Sequence, residues 1–419
     1  MTSLFIKGAT VVRPNGQKPV VENVRIENGV ITGIGTDCTP GDVRDVVDAA
    51  GKVLLPGLCD VHVHIREPGR EDCETIQSAT AAAKAGGFTR VLSMPNTQPP
   101  IDTGGMITYV KTISESQGEI PVSVSGCLTV GRKGEKLAEI ADMASKGAVM
   151  VTDCNRTVQD PYVLRRALEY SRYSDVVVGV YPDTPALSLE GVMNEGPVSF
   201  RLGLPGIPAV SEEIAVERDL RLAQAVGGRI HIQNVSTARA VDSIRRFKEE
   251  GVEVTAEATP HHLLLTEEIL EGYNTHMKMM PPLRSATDQA ALREGLRDGT
   301  IDMIATGHAP HTAFEKNLDF QHAPFGIIGL ESALPALYQG LVETGELSWS
   351  RLVEAFSSAP RRLLKASQVS FSEGSSIDAV LFDPQGETRI ERELLKSKSF
   401  NSPWLHQTLK GRVERVFMS

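Results

Sequence analysis

Short runs in which apolar and polar side chains alternate occupy the first 50 residues. Such alternation predicts half-buried β-strands, and the clearest runs are Leu4–Val12, Val24–Glu27 and Val30–Ile34. The last two runs are separated by Asn28-Gly29, a pair that favours a tight hairpin turn. The chain from about 369 to 419 has the same texture. We therefore predict one small β domain built from both termini, residues 1–50 and 369–419.

Between these ends, short apolar runs alternate with longer segments of helical periodicity. The pairs of run and helical segment are Val53–Leu58 with Glu74–Ala85, Thr89–Met94 with Met106–Ser116, Ala148–Thr152 with Pro161–Ser171, and Arg229–Val235 with Ala238–Glu250. The runs Val252–Ala258 and Met303–Ala305 continue the series. Strand–helix alternation over this length predicts an α/β fold, a TIM-type (β/α)8 barrel covering residues 51–368. A doubly wound open sheet is the alternative, but no G-x-G-x-x-G follows the first strand.

Composition narrows the class of protein. The length of 419 residues suits one large barrel with a smaller appended domain. A net charge of −10 argues against nucleic acid or an anionic membrane as a partner, since both attract a basic face. The five cysteines are odd in number and form no C-x-x-C pair, which indicates reduced thiols rather than a disulfide framework. With no run of about 18 apolar residues, we expect a cytoplasmic protein.

The most specific chemical signal follows the first apolar run of the predicted barrel. Residues 60–69 read Asp-Val-His-Val-His-Ile-Arg-Glu-Pro-Gly. Residues two apart on a strand point the same way, so His62 and His64 share a face. Two imidazoles at the carboxyl end of a barrel strand are a ready pair of metal ligands. For His261 and His262, by contrast, we prefer a structural role near a strand end.

Further motifs occur in order over essentially the whole chain. They are Met94-Pro95-Asn96-Thr97, GVMNEG at 191–196, LGLPGIP at 202–208, Thr259-Pro260-His261-His262 and Ala323-Pro324-Phe325-Gly326. With the His-x-His-x-Arg-Glu-Pro-Gly segment, this set resembles the class I dihydroorotases of the amidohydrolase superfamily. The resemblance implies interconversion of N-carbamoyl-L-aspartate and L-dihydroorotate in pyrimidine biosynthesis, with zinc activating a water molecule.

Residue roles follow from the same resemblance. The metal ligands it implies are His62, His64 and Asp153, and the substrate-binding residues it implies are Arg66, Asn96 and His311. From the residues alone, the less favoured alternative is that Asp153 is a turn or N-cap aspartate. Arg66 could likewise form a structural salt bridge with Glu67 or Asp60.

Four positions depart from the family pattern. Tyr181 and Asn234 stand where the family has metal-binding histidines, and Gly307 replaces the aspartate that serves as ligand and general base. Met280 replaces an asparagine before Pro-Pro-Leu-Arg. We therefore predict one weak zinc site, no secure catalytic residue, and little or no dihydroorotase turnover.

Three functions stay open. The first is an active dihydroorotase with a reduced single-metal site. The second, which we favour, is a non-catalytic dihydroorotase-like subunit that supports aspartate carbamoyltransferase, as a homo-oligomer. The third is a related hydantoinase or allantoinase, but those enzymes usually carry a carbamylated lysine where this chain has Asp153.

Overall fold

The computed structural model describes residues 3–14 and 16–418. Its strands, in chain order, are β1 (Leu4–Val11), β2 (Val20–Glu27), β3 (Val30–Gly35), β4 (Val46–Asp48), β5 (Val53–Pro56), β6 (Leu58–Val63), β7 (Phe88–Ser93), β8 (Val122–Gly126), β9 (Ala148–Thr152), β10 (Val177–Val180), β11 (Met193–Asn194), β12 (Gly206–Ile207), β13 (Ile230–Ile232), β14 (Val254–Ala258), β15 (Met303–Ile304), β16 (Asp378–Arg389) and β17 (Thr408–Met418).

The α-helices, again in chain order, are α1 (Ile76–Ala85), α2 (Gly104–Gln117), α3 (Ile140–Ser145), α4 (Pro161–Ser174), α5 (Pro185–Ser188), α6 (Pro197–Leu202), α7 (Val210–Val226), α8 (Ala238–Glu249), α9 (Pro260–Leu264), α10 (Ala286–Asp298), α11 (Ala313–Lys316), α12 (Ala333–Leu337), α13 (Trp349–Val353) and α14 (Ala359–Leu363). Short 3-10 turns occupy Val130–Arg132, Glu267–Gly272 and Thr275–Met277, and π-helical turns occupy Tyr338–Val342 and Glu354–Ser358. Threonine and serine side chains cap several of the long helices; Thr237, for example, accepts a hydrogen bond from Ala240 N at the start of α8. Among the described residues, we find no helix with the length and apolar character needed to cross a membrane.

Eight parallel strands form the predicted barrel. Their order is β6-β7-β8-β9-β10-β13-β14-β15, and a parallel bridge between Val63 and His308 brings the two edges together. The bridge is reinforced by a hydrogen bond from His64 N to His308 O at 2.9 Å. One large apolar core lies between the strands and their helices and includes Phe88, Phe247 and Phe356. The prediction of a (β/α)8 barrel is confirmed.

A second sheet is built from both ends of the chain, as expected. Its order is β17-β16-β5-β1-β2-β3, with β4 paired to β1. The turn between β2 and β3 has left-handed backbone at Asn28 (φ 52°) and Gly29 (φ 80°), which suits the Asn-Gly pair. Residues 1, 2, 15 and 419 of the predicted domain lie outside the described residues. Because β5 belongs to this sheet, the sheet extends beyond residue 50; the exact domain limits stay a prediction.

The apolar run Val53–Leu58 is not the single strand that we expected. It divides at Gly57 into β5, which joins the terminal sheet, and β6, which opens the barrel. A Cβ at position 57 would lie 2.0 Å from Asp378 Oδ1 and 2.4 Å from Thr89 Oγ1. Only glycine therefore lets the chain pass between the two sheets at this point.

Candidate functional site

Most of the polar side chains singled out above meet at one end of the barrel. The carboxyl ends of the strands open there into a cavity of about 490 Å³, at the end where barrels of this type carry their active sites. The lining includes His62, His64, Arg66, Asn96, Tyr181, Asn234, Met280 and His311. The structure thus gathers every predicted metal or substrate residue at the cavity except Asp153.

Asp153 follows β9, but the neighbouring loop, and not the two histidines, engages its carboxylate. Oδ1 accepts hydrogen bonds from the backbone N–H groups of Leu128 (3.0 Å) and Thr129 (2.9 Å), and Oδ2 accepts one from the Thr129 hydroxyl. Burial raises the pKa of Asp153, against the effect of the hydrogen bonds from Thr129. The carboxylate therefore caps the turn at residues 128–129, which is the alternative that the sequence left open.

Cys154 occupies the place that we expected for Asp153. Its Sγ lies 3.3 Å from His62 Nε2, and the ligand atoms of His62, His64 and Cys154 all lie within 4.8 Å of one another. We therefore revise the candidate third ligand from Asp153 to Cys154. Strand alternation could not identify Cys154 in advance, because β9 ends at Thr152 and the backbone of Cys154 has a positive φ of 20°.

Each of the two histidines is held by a partner on its other ring nitrogen. His62 Nδ1 lies 2.5 Å from Glu257 Oε1, and His64 Nδ1 lies 2.8 Å from Asn96 Oδ1. Such partners fix the orientation of metal-binding imidazoles. Burial alone would lower the pKa of His62, but Cys154 and Glu257 outweigh it and raise that pKa well above its usual range. Burial, Arg66 and His62 together lower the pKa of His64 well below its usual range.

Glu257 is the functional residue that the sequence analysis missed. Besides His62, it contacts His231, whose Nε2 lies 3.0 Å from Glu257 Oε2, and all three side chains are buried. Burial alone would raise the pKa of Glu257, but the charge of His62 and the hydrogen bonds from both histidines hold it at about 2. A carboxylate inside the apolar run Val252–Ala258 was the available signal, since a buried acid needs partners.

Tyr181, Asn234 and Gly307 supply none of the imidazole or carboxylate donors that a second metal ion would need at these positions. Tyr181 and Asn234 are 4% and 3% exposed, and Gly307 offers no side chain. Asn234 has left-handed backbone (φ 50°), which asparagine tolerates, and so does Gly307 (φ 58°). A neutral amide and a phenol are poor zinc ligands. The donor set therefore fits one ion at His62, His64 and Cys154, and does not fit a two-metal centre.

The predicted substrate residues line one wall of the cavity. Arg66 Nε donates to Pro310 O at 3.1 Å, and its Nη2 lies 3.3 Å from His311 Nε2. Among the described residues, Arg66 forms no salt bridge with Glu67 or Asp60, so that alternative loses its support. With its backbone bond in place, the guanidinium keeps nitrogen donors for an anion.

His262 has the structural role that we preferred for it. Its Nδ1 lies 2.7 Å from Thr259 Oγ1 and its Nε2 lies 3.0 Å from Pro281 O. These contacts consume both ring nitrogens. His261 is also buried, and burial, His262 and His62 lower its pKa well below the usual range.

Solved structures of the same architecture define the class of fold. L-hydantoinase (dihydropyrimidinase) from Arthrobacter aurescens superposes with a TM-score of 0.86 at 24% identity, covering 100% of this chain and 95% of that one. Dihydropyrimidinase from Brevibacillus agri NCHU1002 superposes with a TM-score of 0.84 at 22% identity. The match covers 100% of this chain and 94% of that one. The barrel with its terminal sheet is therefore the same fold as that of these neighbours.

Sequence relatives narrow the class to a family. A family model described as dihydro-orotase-like matches residues 51–240. A dihydroorotase of Pelobacter propionicus is 45% identical over 98% of this chain and 96% of its own length. A dihydroorotase of Carboxydothermus hydrogenoformans is 43% identical, and the match covers 97% of this chain and 95% of the relative. The chain therefore belongs to the dihydroorotase family, and the resemblance stated above is confirmed; the roles of single residues stay predictions.

Proposed function

We propose that this chain is a dihydroorotase-family protein of pyrimidine biosynthesis that binds carbamoyl aspartate or dihydroorotate but turns them over slowly or not at all. The observation that carries the proposal is the state of positions 181, 234 and 307. Tyrosine, asparagine and glycine there supply neither a second metal site nor a general base. Loss of a general base alone typically costs about 10² to 10⁴ in rate.

No other carboxylate is placed to take over the task of the base. Among the residues that line the cavity, Asp183 is the one acid. Its Oδ1 accepts a hydrogen bond from Ser211 Oγ at 2.6 Å and its Oδ2 one from Ser188 Oγ at 2.8 Å. These bonds tie the carboxylate to α5 and α7 and support the proposal of impaired catalysis.

A single zinc ion fits the remaining donors and forms part of the proposal. His62, His64 and Cys154 would hold it, and Asn96 and Glu257 would orient the two imidazoles. When bound, such an ion polarises a carbonyl or lowers the pKa of its water. Arg66 would bind the carboxylate of the substrate and Asn96 Nδ2 would assist, since Asn96 Oδ1 faces His64.

A role in assembly completes the proposal. A barrel that keeps its core persists after the catalytic groups are lost, because folding does not depend on them. We therefore place the chain, as a cytoplasmic homo-oligomer, beside aspartate carbamoyltransferase, the preceding enzyme in the pathway. The alternative is an active zinc-dependent dihydroorotase with a single-metal site, and the cluster of His62, His64 and Cys154 favours it.

Metal content and turnover, measured on one sample, separate the two functions. The protein is dialysed against zinc and then buffer, analysed for bound metal, and assayed for dihydroorotate hydrolysis. We expect at most one zinc per chain and no turnover above background, and co-elution with aspartate carbamoyltransferase from the same organism in gel filtration. Turnover that depends on stoichiometric zinc and disappears in Cys154→Ser would establish the active alternative instead.

A further inference from the structure

Two buried side-chain oxygens at the cavity have no hydrogen-bond partner among the residues that the structure describes. They are the hydroxyl of Tyr181 and Oδ1 of Asn234. Both residues line the cavity and both are more than nine-tenths buried. A buried polar atom without a hydrogen bond destabilises the fold, so native chains keep such atoms mainly where another group completes the hydrogen bond.

Gly307 keeps this part of the cavity open. A Cβ at position 307 would lie 3.7 Å from Asn234 Oδ1, 3.3 Å from Thr259 Cγ2 and 3.5 Å from Met279 Cε. Any longer side chain there would compete for the space in front of the amide oxygen. With glycine at 307, no side chain from that position lies against the Asn234 oxygen, which other atoms bury.

Neither the Tyr181 hydroxyl nor the Asn234 amide carries a charge at neutral pH. Burial and the nearby carboxylate of Asp183 raise the pKa of Tyr181 well above its usual range, so the hydroxyl keeps its proton at neutral pH. An amide oxygen accepts hydrogen bonds and a phenol both donates and accepts. Arg66 supplies a positive charge to the same cavity. The cavity therefore offers a charged site for an anion and a separate neutral site for a group with both N–H and C=O.

We propose that Tyr181 and Asn234 form a metal-independent subsite for the ureido or carboxamide end of a small carboxylate ligand. Asn234 Oδ1 accepts an N–H of the ligand, and the Tyr181 hydroxyl donates to its carbonyl oxygen. This deepens the proposed function, on which it rests, because it makes two of the residues that replace metal ligands into specificity-determining residues. The protein then recognises an N-carbamoyl amino acid without a metal ion.

A matched pair of ligands tests the subsite. N-carbamoyl-L-aspartate and N-acetyl-L-aspartate share both carboxylates and the carbonyl, and differ by an NH₂ in place of a CH₃. Calorimetric titration of the full chain after exhaustive EDTA dialysis measures both dissociation constants. We expect the carbamoyl ligand to bind about tenfold more tightly, the effect of one hydrogen bond to an otherwise unsatisfied acceptor.

Two variants assign that preference to the two atoms. Asn234→Gly removes the amide and tolerates the left-handed backbone at this position, and we expect it to abolish the preference. Tyr181→Phe removes the hydroxyl alone; we expect weaker binding of both ligands, because both carry the carbonyl. The ligand-free variant should also melt at a higher temperature, since an unpaired buried hydroxyl is gone. Tyr173→Phe, at a side chain that is 91% exposed, is the matched control and should change neither result.

The outcomes are distinguishable. Equal binding of the two ligands to the unaltered protein overturns the subsite and leaves the proposed function standing. A preference that persists in Asn234→Gly also overturns it. Binding of neither ligand refutes the proposed function together with the subsite.

Discussion

Replacing the buried carboxylate of Glu257 tests most directly which contacts stabilise this site. This carboxylate lies between two imidazoles, 2.5 Å from His62 Nδ1 and 3.0 Å from His231 Nε2, and none of the three side chains is more than 1% exposed. Glu257→Gln keeps the shape of the side chain and removes its charge. Since one amide oxygen remains to accept a hydrogen bond, the variant tests the charge more than the packing.

The stability that Glu257→Gln should lose can be worked out from the pKa of the Glu257 carboxyl. A value of about 2 in the folded chain, against the ordinary 4.5, corresponds to about 3 kcal/mol of stabilisation at neutral pH. Breaking a buried ion pair by removing one partner costs a similar amount, about 3–5 kcal/mol. Because the folded-state pKa is depressed, this stabilisation is present above pH 4.5 and is lost as the pH falls through about 2.

Urea unfolding at pH 7 measures the effect as a shift of the transition midpoint at unchanged slope. Glu249→Gln, the same change at an exposed position on α8, is the control and should stay within about 0.5 kcal/mol of the unaltered protein. We expect the free energy of unfolding of Glu257→Gln to be about 3 kcal/mol lower than that of the unaltered protein at pH 7. Below pH 4.5 this difference should become smaller. A loss under about 1 kcal/mol at pH 7, or a difference that does not become smaller in acid, would refute the argument.

Three further predictions concern the ligand set, a buried lysine and the junction between the sheets. Cys154→Ser should weaken cobalt binding at least about tenfold and abolish any thiolate-to-cobalt absorption band, whereas Asp153→Asn should leave both unchanged; the reverse result would restore the first ligand assignment. Burial, and then Lys278, lower the pKa of Lys316 to about 7 from 10.5, so the folded chain binds fewer protons between these values and its stability rises with pH there. Lys316→Met should remove about 1 kcal/mol per pH unit of that rise, measured by urea unfolding from pH 7.5 to 9.5, and an unchanged slope would contradict the shift. Gly57→Ala should destabilise the protein by at least about 2 kcal/mol in the same assay, because its Cβ would meet the short side chains of Asp378 and Thr89 at 2.0 and 2.4 Å; a neutral effect would show that these side chains move aside.

Periodicity and motif order were enough to predict the barrel and the position of the cavity. His62 lies near the carboxyl end of β6 and Asn234 follows β13; both strands belong to one parallel sheet, and the carboxyl ends of parallel strands meet at one edge. The strand β9 has the predicted limits, Ala148–Thr152. The candidate third ligand changed from Asp153 to Cys154, because motif matching selects the acidic side chain, while the direction of a side chain beyond the end of a strand depends on the turn.

The contacts that cross the chain could not be predicted in the same way. Glu257 meets His62 across 195 residues of sequence, and nothing local to either residue indicates the other. The same holds for Asn401, whose amide nitrogen donates to Ala309 O and Gly326 O beside the cavity. Periodicity reports which face of an element is buried, and it does not report which other element covers that face.

Buried polar residues behind the cavity join the strands and loops independently of the groups that face it. Asp60 accepts hydrogen bonds from His62 N and Thr306 N, which joins β6 to the segment after β15. Arg284 donates to Asn194 and to Ile207 O, which holds the β11–β12 ribbon in place. Removing such buried partners would leave unpaired charges and cost several kcal/mol, whereas replacing a ligand that faces the cavity costs the fold little. Stability alone is therefore enough to preserve the pocket whatever groups face it, so an intact frame is no evidence of catalysis; the groups that face the cavity have to be tested directly.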